Sequence, residues 1–96
     1  MYNYLVVDGM INGTGVRNYY EGGYIELSVL NLSLDLIKAI EIWLDKYWEA
    51  FYNGYNDSSL MDELDNEGLS IAQRIHKEVD CKVSYYSDAK QKRFLL

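Results

Sequence analysis

The chain has 96 residues, enough for one modest hydrophobic core. It carries 15 Asp and Glu against 9 Lys and Arg, a net of −6, and 49% of its residues are hydrophobic. This balance excludes a disordered chain, and a single Cys excludes an internal disulfide framework or a cysteine-rich zinc site. The excess of acid argues against a non-specific nucleic-acid binder, which needs cations to neutralise phosphates.

Tyr is the outlier, with 10 copies against 2 Phe and 2 Trp, and there is no Pro. The start of the chain lacks a basic segment, and its apolar run stops at Asp8. A secretory signal is therefore not expected, no run reaches membrane-spanning length, and the cytosol is the expected compartment.

Residues 2–7, Tyr-Asn-Tyr-Leu-Val-Val, are aromatic and β-branched and predict a strand. Asp8-Gly9 and Asn12-Gly13 are turn dipeptides, and Met10-Ile11 between them predicts a short return strand. Four glycines between residues 12 and 23 predict a chain that turns often, and Tyr24–Leu27 predicts another extended piece. Leu34, Ile37, Ile40, Leu44, Tyr47, Trp48 and Phe51 recur at three and four residues, one face of a helix. Ser33 is its expected N-cap, Leu32 and Ile37 its hydrophobic staple, and Asn53-Gly54 its end. A helix of roughly 20 residues and 30 Å results.

Ser58 or Ser59 is the expected cap of a second helix with an apolar stripe of Leu64, Gly68, Ile71, Ile75 and Val79. Gly68 lies on that stripe and marks either a close approach by another helix or a break between two shorter ones. Lys82–Tyr86 predicts a last strand with Val83 and Tyr85 on one face, followed by a basic, then apolar, tail that docks or frays. The whole predicts a single α+β domain over 1–96: two layers, with an antiparallel or mixed sheet packed against a two-helix hairpin.

No catalytic motif emerges. His76 is the only histidine, and Cys81 five residues on lies about 140° around a helix, so neither a metal set nor a nucleophile pair is supported. Gly13-Thr14-Gly15 lacks the Gly-Lys-Ser/Thr ending of a phosphate loop, and Asn18 stands where a dinucleotide fingerprint needs Gly. Asp62, Glu63, Asp65 and Glu67 fail as a calcium loop, since the twelfth position from Glu63 is Arg74. A small chain also offers little wall for a sugar cleft. The expectation is a protein without catalytic residues, cofactor or metal.

Charge is unevenly spread. Through residue 73 there are 12 acids and 3 bases, a net of −9, and from Arg74 onward 6 bases and 3 acids, a net of +3. Residues 49–67 hold six acids and no base. Such a corner is either a solvated surface or a face that steers a basic partner. Tyr supplies rigid contact area with a polar end, which suits the second reading. The candidate partner-binding residues are Tyr52, Tyr55, Asp57, Asp62, Glu63, Asp65 and Glu67, with Tyr19 and Tyr20 as outliers. Tyr2, Tyr4, Tyr47 and Tyr85 read as core or sheet residues.

Asn12-Gly13-Thr14-Gly15-Val16-Arg17, Glu21-Gly22-Gly23-Tyr24-Ile25 and Leu30-Asn31-Leu32-Ser33 form one set of motifs. Trp43-Leu44-x-x-Tyr47, Leu64-Asp65-x-Glu67-Gly68-Leu69-x-Ile71-Ala72 and Val83-x-Tyr85-Tyr86-Ser87-Asp88-Ala89 form a second. Together they cover most of the chain and resemble small bacterial immunity proteins of toxin systems, including contact-dependent growth inhibition. The resemblance implies a cytosolic protein that binds and neutralises a cognate toxin domain, often a basic nuclease, and it places no catalytic residue. The rival reading is a non-catalytic structural or regulatory subunit acting through homo-oligomerisation or docking. Binding of nucleic acid or membrane is not expected.

Overall fold

The computed structural model describes residues 2–96. Strand β1 runs Tyr4–Asp8, beginning two residues later and ending one later than the sequence predicts. The expected return strand at Met10-Ile11 does not form. Those residues lie in a turn with Asn12 in the left-handed region (φ 67°), and the chain returns instead as β2, Val16–Asn18, antiparallel to β1. Gly15 makes this return possible: its φ is 97°, and a Cβ there would lie 2.8 Å from Ile40 Cγ2. The Thr14 hydroxyl donates to the Ile25 carbonyl at 2.6 Å and fastens the next stretch of chain.

The expected extended piece at Tyr24–Leu27 is reduced to one bridge, Tyr24 to Arg17. Leu27–Leu30 instead forms a 3-10 turn that puts Leu27 and Leu30 into the core. Helix α1, Leu34–Tyr52, begins as predicted, with the Ser33 hydroxyl accepting from Leu36 N–H. Glu78 also accepts from both Ser33 N–H (2.6 Å) and Ser33 O–H (2.9 Å), which ties the start of α1 to the end of the next helix.

Helix α2, Ser58–Val79, is capped by Asp57 and not by Ser58 or Ser59. Asp57 Oδ1 accepts from Leu60 N–H at 3.0 Å, and a carboxylate also suits the positive end of a helix. The helix runs unbroken through Gly68. Strand β3, Lys82–Ser87, pairs parallel with β1, and the C-terminal tail docks on β3 as the antiparallel edge strand β4, Lys92–Leu95.

The sheet order is β2-β1-β3-β4, so the sheet is mixed and the fold is a small α+β domain. Leu5, Val7, Val83 and Tyr85 join the core with Trp43 and Tyr47 of α1 and Leu64, Ile71 and Ile75 of α2. The alternate residues Tyr4, Val6, Asp8, Ser84 and Tyr86 belong to the other face of the sheet. There Arg93 of β4 lies 4.7 Å from the centre of the Tyr19 ring, just beyond β2. Val6 and Ser84 on this face are both fully buried.

Gly68 is where the layers touch. A Cβ there would lie 2.6 Å from Tyr85 Cζ and 2.9 Å from Trp43 Cζ2. The close approach is therefore made by a strand residue as well as by the neighbouring helix. Gly68→Ala would gain about 1 kcal/mol of helix propensity if the site were open. Against these rings the expected result is a net loss of about 1–3 kcal/mol, read by urea denaturation, and a gain in stability would contradict this packing.

Candidate functional site

The turn between α1 and α2 gathers part of the predicted binding set. Gly54 and Tyr55 both take positive φ (76° and 55°), which reverses the chain within the five residues between the helices. Phe51 stands at the centre of an aromatic group, 5.6 Å from Tyr52 and 5.8 Å from Tyr55 between ring centres, in edge-on geometry. Tyr52 is 75% exposed and Phe51 42%. Tyr55 is half-buried and leans on Tyr47, and burial, then the neighbouring Tyr47, pushes its hydroxyl up to about 12. Beside these rings lies a small concavity of about 190 Å³ lined by Tyr55, Asn56, Asp57, Leu60 and Met61 among others.

The acids of this corner divide into three groups. Asp62 pairs with Lys90 at 2.6 Å and Glu67 with Lys46 at 3.4 Å, both in exposed positions of little energetic weight. Asp62, with Asp65 behind it, holds the Lys90 ammonium above its ordinary range. Among the described residues Glu49, Asp57 and Glu63 have no ion-pair partner and face solvent. Asp65 is the correction to the expected acidic face, because it is 3% exposed and points inward. Its Oδ1 accepts from Tyr85 O–H (2.6 Å) and Tyr47 O–H (3.2 Å), its Oδ2 from Ser87 O–H (2.9 Å), and Lys90 Nζ stands 3.5 Å away. Burial, then the bond to Asp65, drives the Tyr85 hydroxyl far above its ordinary value, so it stays a donor.

Tyr19 and Tyr20 lie apart from the corner, on the outer side of the sheet. Tyr19 stacks on Tyr4 at 4.3 Å and Tyr20 meets both rings edge-on, at 5.2 Å and 6.2 Å. Tyr20 is 71% exposed, so these two form a separate aromatic patch flanked by Arg93 and Lys82.

A second polar cluster escapes the sequence reading. Asp8, at the carboxyl end of β1, is buried, and accepts from Arg17 Nε–H and Tyr24 O–H, each at 2.6 Å. Burial, then the bond to Asp8, pushes the Tyr24 hydroxyl well above its ordinary range. Asp88, just past the end of β3, faces the same cavity, and its Oδ2 is shut away without a hydrogen-bond partner. Burial and then the charge of Asp8 push the Asp88 carboxyl up to about 6, against the pull of Arg17 and the Gly9 N–H.

The His76 ring meets the Cys81 carbonyl at 2.7 Å rather than its thiol. Burial, then Asp80, pushes that thiol up, which disfavours the thiolate a nucleophile requires. The described residues include no group of three or more His, Cys, Asp or Glu placed to hold a metal ion, and no described helix is long and apolar enough to cross a membrane. No family model, curated protein or solved structure matches this chain.

Two outcomes are expected from these carboxylates. Tyr85→Phe leaves Asp65 short of a donor and should cost about 1–3 kcal/mol in chemical denaturation, and an unchanged midpoint would show that the bond is not needed. Asp88 has a folded value above its unfolded one, so its ionisation opposes folding. That penalty is full above about pH 6 and is relieved as the pH falls toward about 4. Asp88→Asn should therefore be more stable than the parent near neutral pH, with the advantage shrinking on acidification. A difference that is constant across that window would contradict the assignment. The groups facing Asp88 are Asp8, Arg17, Asp65 and the Gly9 N–H.

Proposed function

We propose that this chain is a non-catalytic binding module, an immunity protein that neutralises a cognate bacterial toxin domain of basic, nuclease-like character in the cytosol. The observation that carries the proposal is the corner at the α1–α2 turn, where exposed Phe51 and Tyr52 adjoin half-buried Tyr55 near the acids Glu49, Asp57 and Glu63, which have no ion-pair partner among the described residues. Exposed aromatic side chains supply buried area at small entropic cost, and a cluster of like charge steers association with a partner of opposite sign. A nuclease presents basic surface because it must hold phosphate, so an acidic inhibitor is complementary to its cleft. A standard interface needs only about 800 Å² from each partner. Neutralisation by contact requires no catalytic group, metal or cofactor. The class of partner comes from the sequence resemblance, and the corner supplies the chemistry.

The corner is smaller than the run of acids implies. Asp65 is committed to the interior, while Asp62 and Glu67 are partly neutralised by Lys90 and Lys46. We therefore assign the contact to Tyr52, Tyr55, Asp57 and Glu63 first, with Asp62 and Glu67 as the rim.

The test is co-expression with the toxin domain of the reading frame beside this one. The parent chain is expected to restore growth and to bind that domain with strong salt dependence. Tyr52→Ala combined with Glu63→Lys, both at exposed positions, should weaken binding by roughly tenfold or more and slow association. Equal rescue by the double variant, or no complex with the neighbouring domain, overturns the proposal.

A further inference from the structure

The outer end of the sheet holds a cavity of about 250 Å³ that the corner does not use. It lies where the parallel strands β1 and β3 end. Asp8, Met10, Arg17, Tyr24, Tyr86 and Asp88 line it among others.

The charges here do not balance. Asp8 and Asp88 supply two carboxylates and Arg17 one guanidinium. Arg17 spends its Nε on Asp8 Oδ2 at 2.6 Å, and Tyr24 O–H and Met10 N–H serve Asp8 Oδ1. Asp8 is therefore fully satisfied although it is 99% buried, being 1% exposed. Asp88 is not satisfied, for its Oδ2 has no donor. A buried acceptor without a partner carries the full cost of lost hydration, and that cost is recovered when a donor arrives. Asp88 itself lines the cavity, so its carboxylate is the acidic group that a donor entering there would meet. Tyr24 and Tyr86 bring aromatic side chains to the lining, and aromatic rings attract a flat cation.

We propose that this cavity receives the guanidinium of an arginine side chain from the partner protein, which pairs with Asp88 and lies against the tyrosine walls. The inference rests on the basic partner of the proposed function and gives it a specific contact. Arginine fits better than lysine on two counts. Its planar fork can meet a carboxylate through two parallel bonds, and its weakly hydrated face stacks on aromatic rings. The surplus carboxylate opposes an anionic occupant. Arginine is among the residues that most often form interface hot spots.

The test needs no toxin. The full chain, labelled with ¹⁵N, is titrated with N-acetyl-arginine amide, agmatine, N-acetyl-norleucine amide and inorganic phosphate in turn. The capped arginine is expected to give saturable shifts confined to the amides around Asp8, Tyr86 and Asp88, and to lower the titration midpoint of Asp88 read by carboxyl ¹³C NMR. Asp88→Asn should weaken its binding at least tenfold while the protein stays folded, and Tyr86→Leu should weaken it with Asp88 intact. Tighter binding of agmatine than of the capped residue would overturn the assignment to a protein side chain in favour of a free small cation. Absent or unlocalised shifts, equal shifts with norleucine, binding of phosphate in place of the cation, or undiminished binding to Asp88→Asn would each overturn the proposal. None of these results depends on growth rescue through the α1–α2 corner, so failure here and failure of the immunity reading are separately visible.

Discussion

A single buried carboxylate sets the geometry of this domain. Asp65 sits on the inner face of α2 and takes hydrogen bonds from Tyr47 of α1 and from Tyr85 and Ser87 of β3. Its partners reach further. The Tyr47 hydroxyl accepts from Ala89 N–H at 3.1 Å, and Ser87 Oγ accepts from Lys90 N–H at 3.1 Å, so the turn into β4 hangs from the same knot. A carboxylate in a core is tolerated only when its acceptor sites are filled. Three hydroxyls from α1 and β3 fill them, with the Lys90 ammonium of the following turn nearby. Sliding α2 along the sheet by one residue would break every one of these bonds, so the network fixes register where apolar packing alone permits several.

Gly68 follows from that requirement. For the Tyr85 hydroxyl to reach Asp65, its ring must cross the surface of α2 nearly one turn further on, and the space it crosses is where the Cβ of residue 68 would stand. The glycine costs helix propensity and permits the bond. Trp43 closes the other side, with its indole N–H donating to the Leu64 carbonyl at 2.8 Å. The tyrosine surplus then resolves into different duties. Tyr47 and Tyr85 are interior donors, Tyr4, Tyr19, Tyr20, Tyr24 and Tyr86 belong to the outer side of the sheet, and Tyr52 and Tyr55 belong to the helix corner.

What the sequence revealed depended on local regularity. Both helices are legible because apolar positions recur in each, and Ser33 marks a start that the backbone confirms, but the buried face of α1 is Leu36, Ile40, Trp43, Leu44, Tyr47 and Ala50, while Leu34 and Phe51 of the expected face are exposed. Strand β2 was hidden, since Val-Arg-Asn is too short to alternate and its pairing is set by turns with positive φ before it. The cap of α2 was misplaced by one residue because Asp57, Ser58 and Ser59 are all capable caps, and only the backbone decides between them. Asp65 departs from the expected acidic face. It stands among acids, yet it shares a face with Met61, Gly68 and Ala72 at intervals of four, three and seven residues, all buried. The periodicity held that signal, but the hydroxyls that make burial tolerable lie 18 to 22 residues away and have no local signature.

The same logic separates two kinds of carboxylate at the end of the sheet. Asp8 and Asp88 are 80 residues apart and meet only because β1 and β3 run parallel, with Asp8 in register with Tyr86. Asp8 resembles Asp65: it is buried, and donors from Arg17 and Tyr24 complete it. Asp88 differs, since it is drawn into the same low-dielectric region but one of its oxygens is left without a donor. A fold that invests three hydroxyls in one buried acid has the means to satisfy another. Asp88 lines the cavity with one oxygen left unpartnered, and its raised pKa makes its ionisation a cost to the folded state near neutral pH. Stability selected alone would replace it with a neutral residue, whereas a surface that must accept a cation needs that oxygen unsatisfied until the partner arrives.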